Sequence, residues 1–339
     1  MIIDLRSDTV TKPTKEMLEA MFGAEVGDDI FDEDPTVIKL QQKVAKILNK
    51  EAAIYTPSGT MANQMAIKLH TQPGDEVICD ITSHIYNFEG GGISFNSGAS
   101  VKLIYGDNGR VKANQVLESI NPHNIHAANS SLVSLENTSN KGGGSCYDIA
   151  DIKEIAAVCK NNNLKFHLDG ARLFNAVVKK GYSASEIGNL FDSVSICLSK
   201  GLGAPIGSVL AGTSEFITRA KRYRKLFGGA MRQAGYLAAA GIYALDNHIP
   251  RLKEDHENAQ ALVNMLQKQS YVEEILPTET NIVIFRLSKS IKDEDFMNQL
   301  NQMNVKVIGF GPQVIRMVTH LDFKTEMLEE VEKALAKIN

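Results

Sequence analysis

LKFHLDGARLFNAVVKKGYSASEIGNLFDSVSICLSKGLGAPIGSVLAG, residues 164–212, is the stretch whose reading decides the fold. It holds three short apolar runs, Leu164–Leu168, Val194–Leu198 and Ser208–Ala211. Ala52–Tyr55, Glu76–Cys79, Val101–Ile104 and Leu132–Leu135 are runs of the same kind earlier in the chain. Helical patterns lie between several of them, as in Thr60–Leu69 and Asp148–Asn161, and Pro35 opens another with Val37, Leu40, Val44, Ile47 and Leu48 on one face. Such alternation predicts an α/β domain with a mostly parallel sheet covered by helices.

After Gly212 the pattern changes. A helical stretch, roughly Ala230–Leu266, leads to TNIVIFRL (280–287), a helix near 292–303, VKVIGFG (305–311), VIRMVTH (314–320) and a last helix from Lys324. This order predicts a small α+β domain. We therefore divide the chain into a large domain, 1–248, that includes the N-terminal segment, and a small C-terminal domain, 249–339.

The 339 residues are too many for one ordinary core, in keeping with two domains. A net charge of −4 and the lack of a long basic run argue against nucleic acid or an anionic membrane as partner. MIIDLRSDTV does not read as a signal peptide, and no run approaches membrane-span length. Cys79, Cys146, Cys159 and Cys197 show no metal-ligand spacing and read as reduced thiols of a cytoplasmic protein. No metal is expected.

Lys200 is the odd residue of the opening stretch. Between Ser193 and Ser214 it is the one charged side chain. It could be a solvated charge, a phosphate clamp or a nucleophile. A phosphate-binding loop needs its glycines before the lysine, whereas Gly201 and Gly203 follow it. Burial among small apolar groups would make the amine a usable nucleophile toward an aldehyde, and the glycines would let a bulky ligand approach the backbone.

Asp169 ends the Leu164–Leu168 run where ligands meet an open α/β sheet. With Arg172 beside it, it could hold a protonated ring nitrogen in a cofactor that acts as an electron sink, or it could be a plain turn residue. Ser58, Gly59 and Thr60 follow another run and open a helix, which suits a phosphate or an ordinary cap. His84 and Phe88, in SHIYNFEGGG, could stack on a planar cofactor.

RSDTVTKPT (6–14), GDDIFDEDPT (27–36), PSGTMANQ (57–64), LENT (135–138), HLDGARL (167–173), DSVSICLSKGLGAPIGSVLAG (192–212) and FGGAMRQAG (227–235) closely resemble the L-threonine aldolases, in order along nearly the whole chain. The resemblance implies pyridoxal 5'-phosphate, the aspartate-aminotransferase fold and cleavage of L-threonine or L-allo-threonine to glycine and an aldehyde. It makes Lys200 the Schiff-base lysine and Asp169 the partner of the pyridine nitrogen. His84 would stack on the ring, and Ser58, Gly59 and Thr60 would hold the phosphate. Ser7, Arg172 and Arg316 would bind the substrate carboxylate, with Phe88 beside the substrate. His126 would stand near the substrate hydroxyl, sharing acid–base work with His84. Arg232 would reach a phosphate across a subunit boundary, in a homotetramer of dimers with shared sites. The same lysine and aspartate would equally serve a β-eliminating lyase, racemase or aminotransferase. Asn129, Ser130, Asp32 and Ala230 depart from the usual family residues.

Overall fold

Runs of apolar residues become strands here because both faces of the strand are covered, which leaves no polar face to alternate with. The computed structural model describes residues 2–338. Its strands, in chain order, are β1 (Ile3–Asp4), β2 (Ala52–Thr56), β3 (Asp75–Asp80), β4 (Ser100–Ile104), β5 (Asn129–Glu136), β6 (Lys165–Gly170), β7 (Ser193–Cys197), β8 (Ser208–Gly212), β9 (Val272–Ile275), β10 (Ile282–Leu287), β11 (Val305–Lys306), β12 (Ile308–Gly311) and β13 (Val314–Val318). Every residue of β3, β7 and β8 is buried, whereas the edge strand β4 alternates.

Seven strands form one sheet in the order β2-β8-β7-β6-β5-β3-β4. The pairs from β7 across to β4 are parallel, and β8 alone runs against both of its neighbours. The expected mostly parallel, helix-covered sheet is what the chain builds. Its register matters for function. Glu136 lies opposite Asp169, Asp169 opposite Ser195, and Cys197 opposite Ser208, which in turn faces Thr56. The carboxyl ends of β2, β3, β5, β6 and β7 therefore share one rim, where open α/β sheets bind ligands.

The second sheet is antiparallel, in the order β12-β13-β10-β9. β1 pairs with β11, and the β1 segment places Ile3 and Leu5 in the same apolar core as Phe285, Phe296 and Met317. The amide of Val318 donates to the carbonyl of Leu5 at 2.8 Å. The N-terminal segment, grouped with the large domain on sequence, thus threads along the small sheet and brings Ser7 and Asp8 beside β13. The helical stretch expected over 230–266 is two helices, Gly235–Asn247 and Leu252–Leu266. Pro250 lies between them, lacking an amide to donate and disfavouring helical backbone before it.

Asp32, where the family usually has Gly, sits at φ 58°, the left-handed region that glycine enters freely and Asp tolerates. Its carboxylate accepts from Lys221 at 2.6 Å.

Candidate active site

Lys200 follows β7 in a turn that must reverse the chain into β8. Gly203 makes part of that turn at φ 80°, where an added Cβ would come 2.7 Å from Leu321. The Lys200 carbonyl accepts from Thr11 Oγ1 at 3.1 Å and from the Gly203 amide at 2.8 Å. The half-buried side chain is thereby anchored by its own backbone at the rim. Its charge acts on Asp8, one of the buried carboxylates nearby.

Asp169 is buried at the end of β6. Its Oδ1 accepts the amide of Ala171 at 3.1 Å, and its Oδ2 accepts from Asn63 Nδ2 at 2.9 Å. Asn63 comes from the Gly59–His70 helix and is itself fixed: its Oδ1 accepts from Ser195 Oγ at 2.7 Å. The same Asn63 nitrogen donates to Glu89 Oε1 at 2.9 Å. Glu89 also takes Gln64 Nε2 at 2.6 Å and faces His84 Nδ1 at 3.0 Å. His84, Glu89 and Asp169 so crowd their polar atoms within 4.8 Å of one another. Burial works against charge on the His84 ring, but the Glu89 hydrogen bond and the charges of Asp169, Glu89 and Glu136 outweigh it, so the imidazole holds its proton above its ordinary range. Phe88 lies 5.5 Å from that ring, centroid to centroid.

At the rim end of β2, Ser58 caps the Gly59–His70 helix by accepting the Met61 amide at 3.2 Å. Gly59 is required there, since an added Cβ would stand 2.7 Å from Cys197 Sγ at the end of β7. Helix start and strand end are pressed together, with the first helical amides at the mouth.

Two arginines converge opposite. Arg172 is buried and forked onto Asp8, Nε and Nη2 each donating at 2.7 Å. Burial opposes charge on Asp8, but the Arg172 fork, the Lys200 charge and the Asn281 hydrogen bond hold it well below the ordinary carboxylate range. Arg316, on β13, donates through Nη1 to Asn140 Oδ1 at 2.9 Å and through Nη2 to the Arg6 carbonyl at 3.1 Å. It stacks on Phe310 at 4.5 Å. Its Nε is buried without a partner. Burial first, then the Arg172 charge, push its guanidinium down to about 10. The arrangement carries an unmet demand for an anion, which an incoming carboxylate would satisfy.

Breaking the Asp8–Arg172 fork leaves a buried cation unpaired. Asp8→Asn is expected to lower stability by about 3 kcal/mol at neutral pH. Because the Asp8 pKa is depressed in the fold, that difference is present above about pH 4 and shrinks as pH falls below it, as paired denaturant titrations would read.

The structure therefore brings Lys200, Asp169, His84, Phe88, Ser58, Gly59, Thr60, Arg172 and Arg316 to the rim, with Ser7 beside them in the turn that carries Asp8. Ser7 Oγ accepts from the Thr9 amide at 3.2 Å and from Thr9 Oγ1 at 2.9 Å. Two expected residues stand elsewhere in this chain. His126 is exposed in the loop before β5, at the opposite end of the sheet from Glu136. Seven strand steps, about 23 Å, separate the two ends of β5. Arg232 is exposed and donates to Asp28 Oδ2 at 2.6 Å. Asn129 also lies at the far end, bonded to Asp75 at 3.2 Å, so its departure from the family does not alter the rim.

A family model described as beta-eliminating lyase matches residues 4–290. The chain is 43% identical over 331 residues to the low specificity L-threonine aldolase of Escherichia coli strain K12, covering 97% of each chain. It is 37% identical over 343 residues to the low specificity L-threonine aldolase of Saccharomyces cerevisiae, covering 98% of this chain and 86% of that one. A threonine aldolase structure from Leishmania major shares the fold with a TM-score of 0.87 at 20% identity, over 99% of both chains.

Proposed function

Because this chain belongs to the low-specificity L-threonine aldolase family, we infer that it cleaves L-threonine, L-allo-threonine and related β-hydroxy-α-amino acids to glycine and an aldehyde, with pyridoxal 5'-phosphate at the rim. One observation carries the reading. A lysine, a buried carboxylate at a strand end, an imidazole held by Glu89 and an arginine whose buried Nε lacks a partner gather at one rim of the sheet.

The residues fit that cofactor on the chemistry of the donor set. Asp169 offers a buried carboxylate, already oriented by Asn63 and Ala171, that would accept a ring N–H. Ser58, Gly59 and Thr60 would take the phosphate at the helix start, and His84 would stack on the ring. When bound, pyridoxal phosphate supplies an aldehyde that condenses with amines and a ring that takes up the electron pair released at Cα.

The chain's own residues do the rest. Lys200 would provide the amine for covalent attachment and would then be the amine available to move protons at Cα. Arg316, with its unpartnered Nε, and Ser7 would grip the substrate carboxylate, while Arg172 is held in place by Asp8. Gripping the carboxylate fixes rotation about the substrate Cα and sets the Cα–Cβ bond for cleavage; orientation of this kind contributes up to ~7–11 kcal/mol. With Nδ1–H donated to Glu89, Nε2 of His84 is free to take the β-hydroxyl proton, and Glu89 stabilises the resulting cation. Cleavage then weakens as pH falls through the raised His84 pKa, because a protonated ring cannot act as the base.

The homotetramer implied by the family resemblance is part of the proposal. His126 and Arg232, remote or turned outward in one chain, would serve a neighbouring subunit's site. We also place the protein in the cytoplasm, since all four cysteines are free and buried. Among the described residues no helix is long and apolar enough to cross a membrane.

The test is a product assay of the purified, cofactor-loaded protein with L-threonine and L-allo-threonine. Glycine and acetaldehyde support the reading, and ammonia with a keto acid would point to β-elimination instead.

A further inference from the structure

We propose that Glu136 is a positioning residue that couples the placement of His84 to that of Arg316 through its two carboxylate oxygens. What those two residues do rests on the aldolase reading above. Glu136 ends β5 in the middle of the rim and belongs to the LENT motif, which had no chemical role on sequence. Its Oε2 accepts the backbone amide of His84 at 2.7 Å. Its Oε1 accepts the backbone amide of Asn140 at 2.8 Å. Asn140 Oδ1 in turn accepts Nη1 of Arg316 at 2.9 Å. One carboxylate thus pins both the first residue of the short His84–Asn87 helix and the residue whose side chain aims the guanidinium.

Among the described residues, those two amides are the hydrogen-bond donors to Glu136, and it has no ion pair. It is more than nine-tenths buried. The titratable and charged groups facing it come from every side: Asp169 on β6, Cys79 on β3, His84 after β3, Tyr147 after β5 and Arg172 after β6. Burial, then the Asp169 charge, push its carboxyl up to about 7 against the pull of the two amides and of His84. Below neutrality one oxygen carries a proton and cannot also accept its amide well, so the tie loosens. The carboxylate form alone holds both ends.

Glu136→Gln tests this in the holoenzyme. A carboxamide has one oxygen, so one of the two amides would face an N–H₂ donor. Glycine affinity, read from the cofactor's absorbance, is expected to fall about tenfold, the order of one buried hydrogen bond lost. The change in glycine affinity across pH 7 should shrink in the variant, while cofactor content is retained. Asn140→Ala cuts only the Arg316 arm and should raise KM by more than it lowers kcat. A third reading uses apoprotein: infrared difference spectra across pH 7 should show a carboxyl protonation that Glu136→Gln lacks. A Glu136→Gln enzyme with wild-type glycine affinity and wild-type pH profile overturns the proposal. So does an Asn140→Ala enzyme with unchanged KM, or an infrared band that survives the substitution. Because the infrared and glycine-binding arms need no turnover, failure of aldol cleavage with both intact sinks only the assigned activity.

Discussion

Lys200→Ala is expected to lose cleavage by roughly 10⁴-fold or more, the scale on which removal of a covalent nucleophile falls. The loss should be chemical and not structural. The turn is held by backbone contacts, Thr11 to the Lys200 carbonyl and the Gly203 amide to the same oxygen, and neither uses the amine. The variant should therefore melt close to the parent and still take up pyridoxal phosphate at the phosphate and Asp169 ends, but without a covalent link. Borohydride reduction followed by mass measurement of the intact chain reads this directly. Cofactor reduced onto the Lys200→Ala protein would show that another amine carries it.

Asp169→Asn should be the second most damaging change, with kcat lowered roughly 10²–10³-fold, as when one preorganised electrostatic group is removed. Asparagine keeps the size of the side chain and can still accept from the Ala171 amide or from Asn63. It lacks the charge that would hold a proton on a ring nitrogen. The defect should therefore appear in kcat with cofactor still bound, and stopped-flow absorbance after mixing with glycine should show slower proton loss from Cα. A variant within tenfold of the parent would remove Asp169 from its assigned place.

The fold was legible where burial is symmetrical. Strands covered on both faces read as uninterrupted apolar runs, and each run from Ala52 to Gly212 became a strand of one sheet. β1 was not legible, because two residues carry no period and its partner lies some three hundred residues away. Within the site, Lys200 and Asp169 stood out because each charge interrupts or ends an apolar run. Asp8, Asn63, Glu89 and Glu136 did not, being ordinary polar residues whose work comes from contacts made only after folding. Asp8 meets Arg172 across 164 positions, and Asn63 meets Asp169 across 106. Glu136 did carry a faint sign: like Asp169, it is an acid that closes an apolar run, and the register sets the two side by side. His126 is the opposite case: the family pattern assigned it to the substrate, but within one chain it stands before the start of β5, at the far end of the sheet from Glu136, so only a neighbouring subunit's site is open to it.

The central claim is that Lys200, Asp169, His84 and the arginine pair together perform a retro-aldol cleavage. Its most direct test is to incubate the purified holoenzyme with L-allo-threonine and quantify all products. The structure and its family predict glycine and acetaldehyde in equal amounts, formed without ammonia. Ammonia and a keto acid in place of glycine would contradict it.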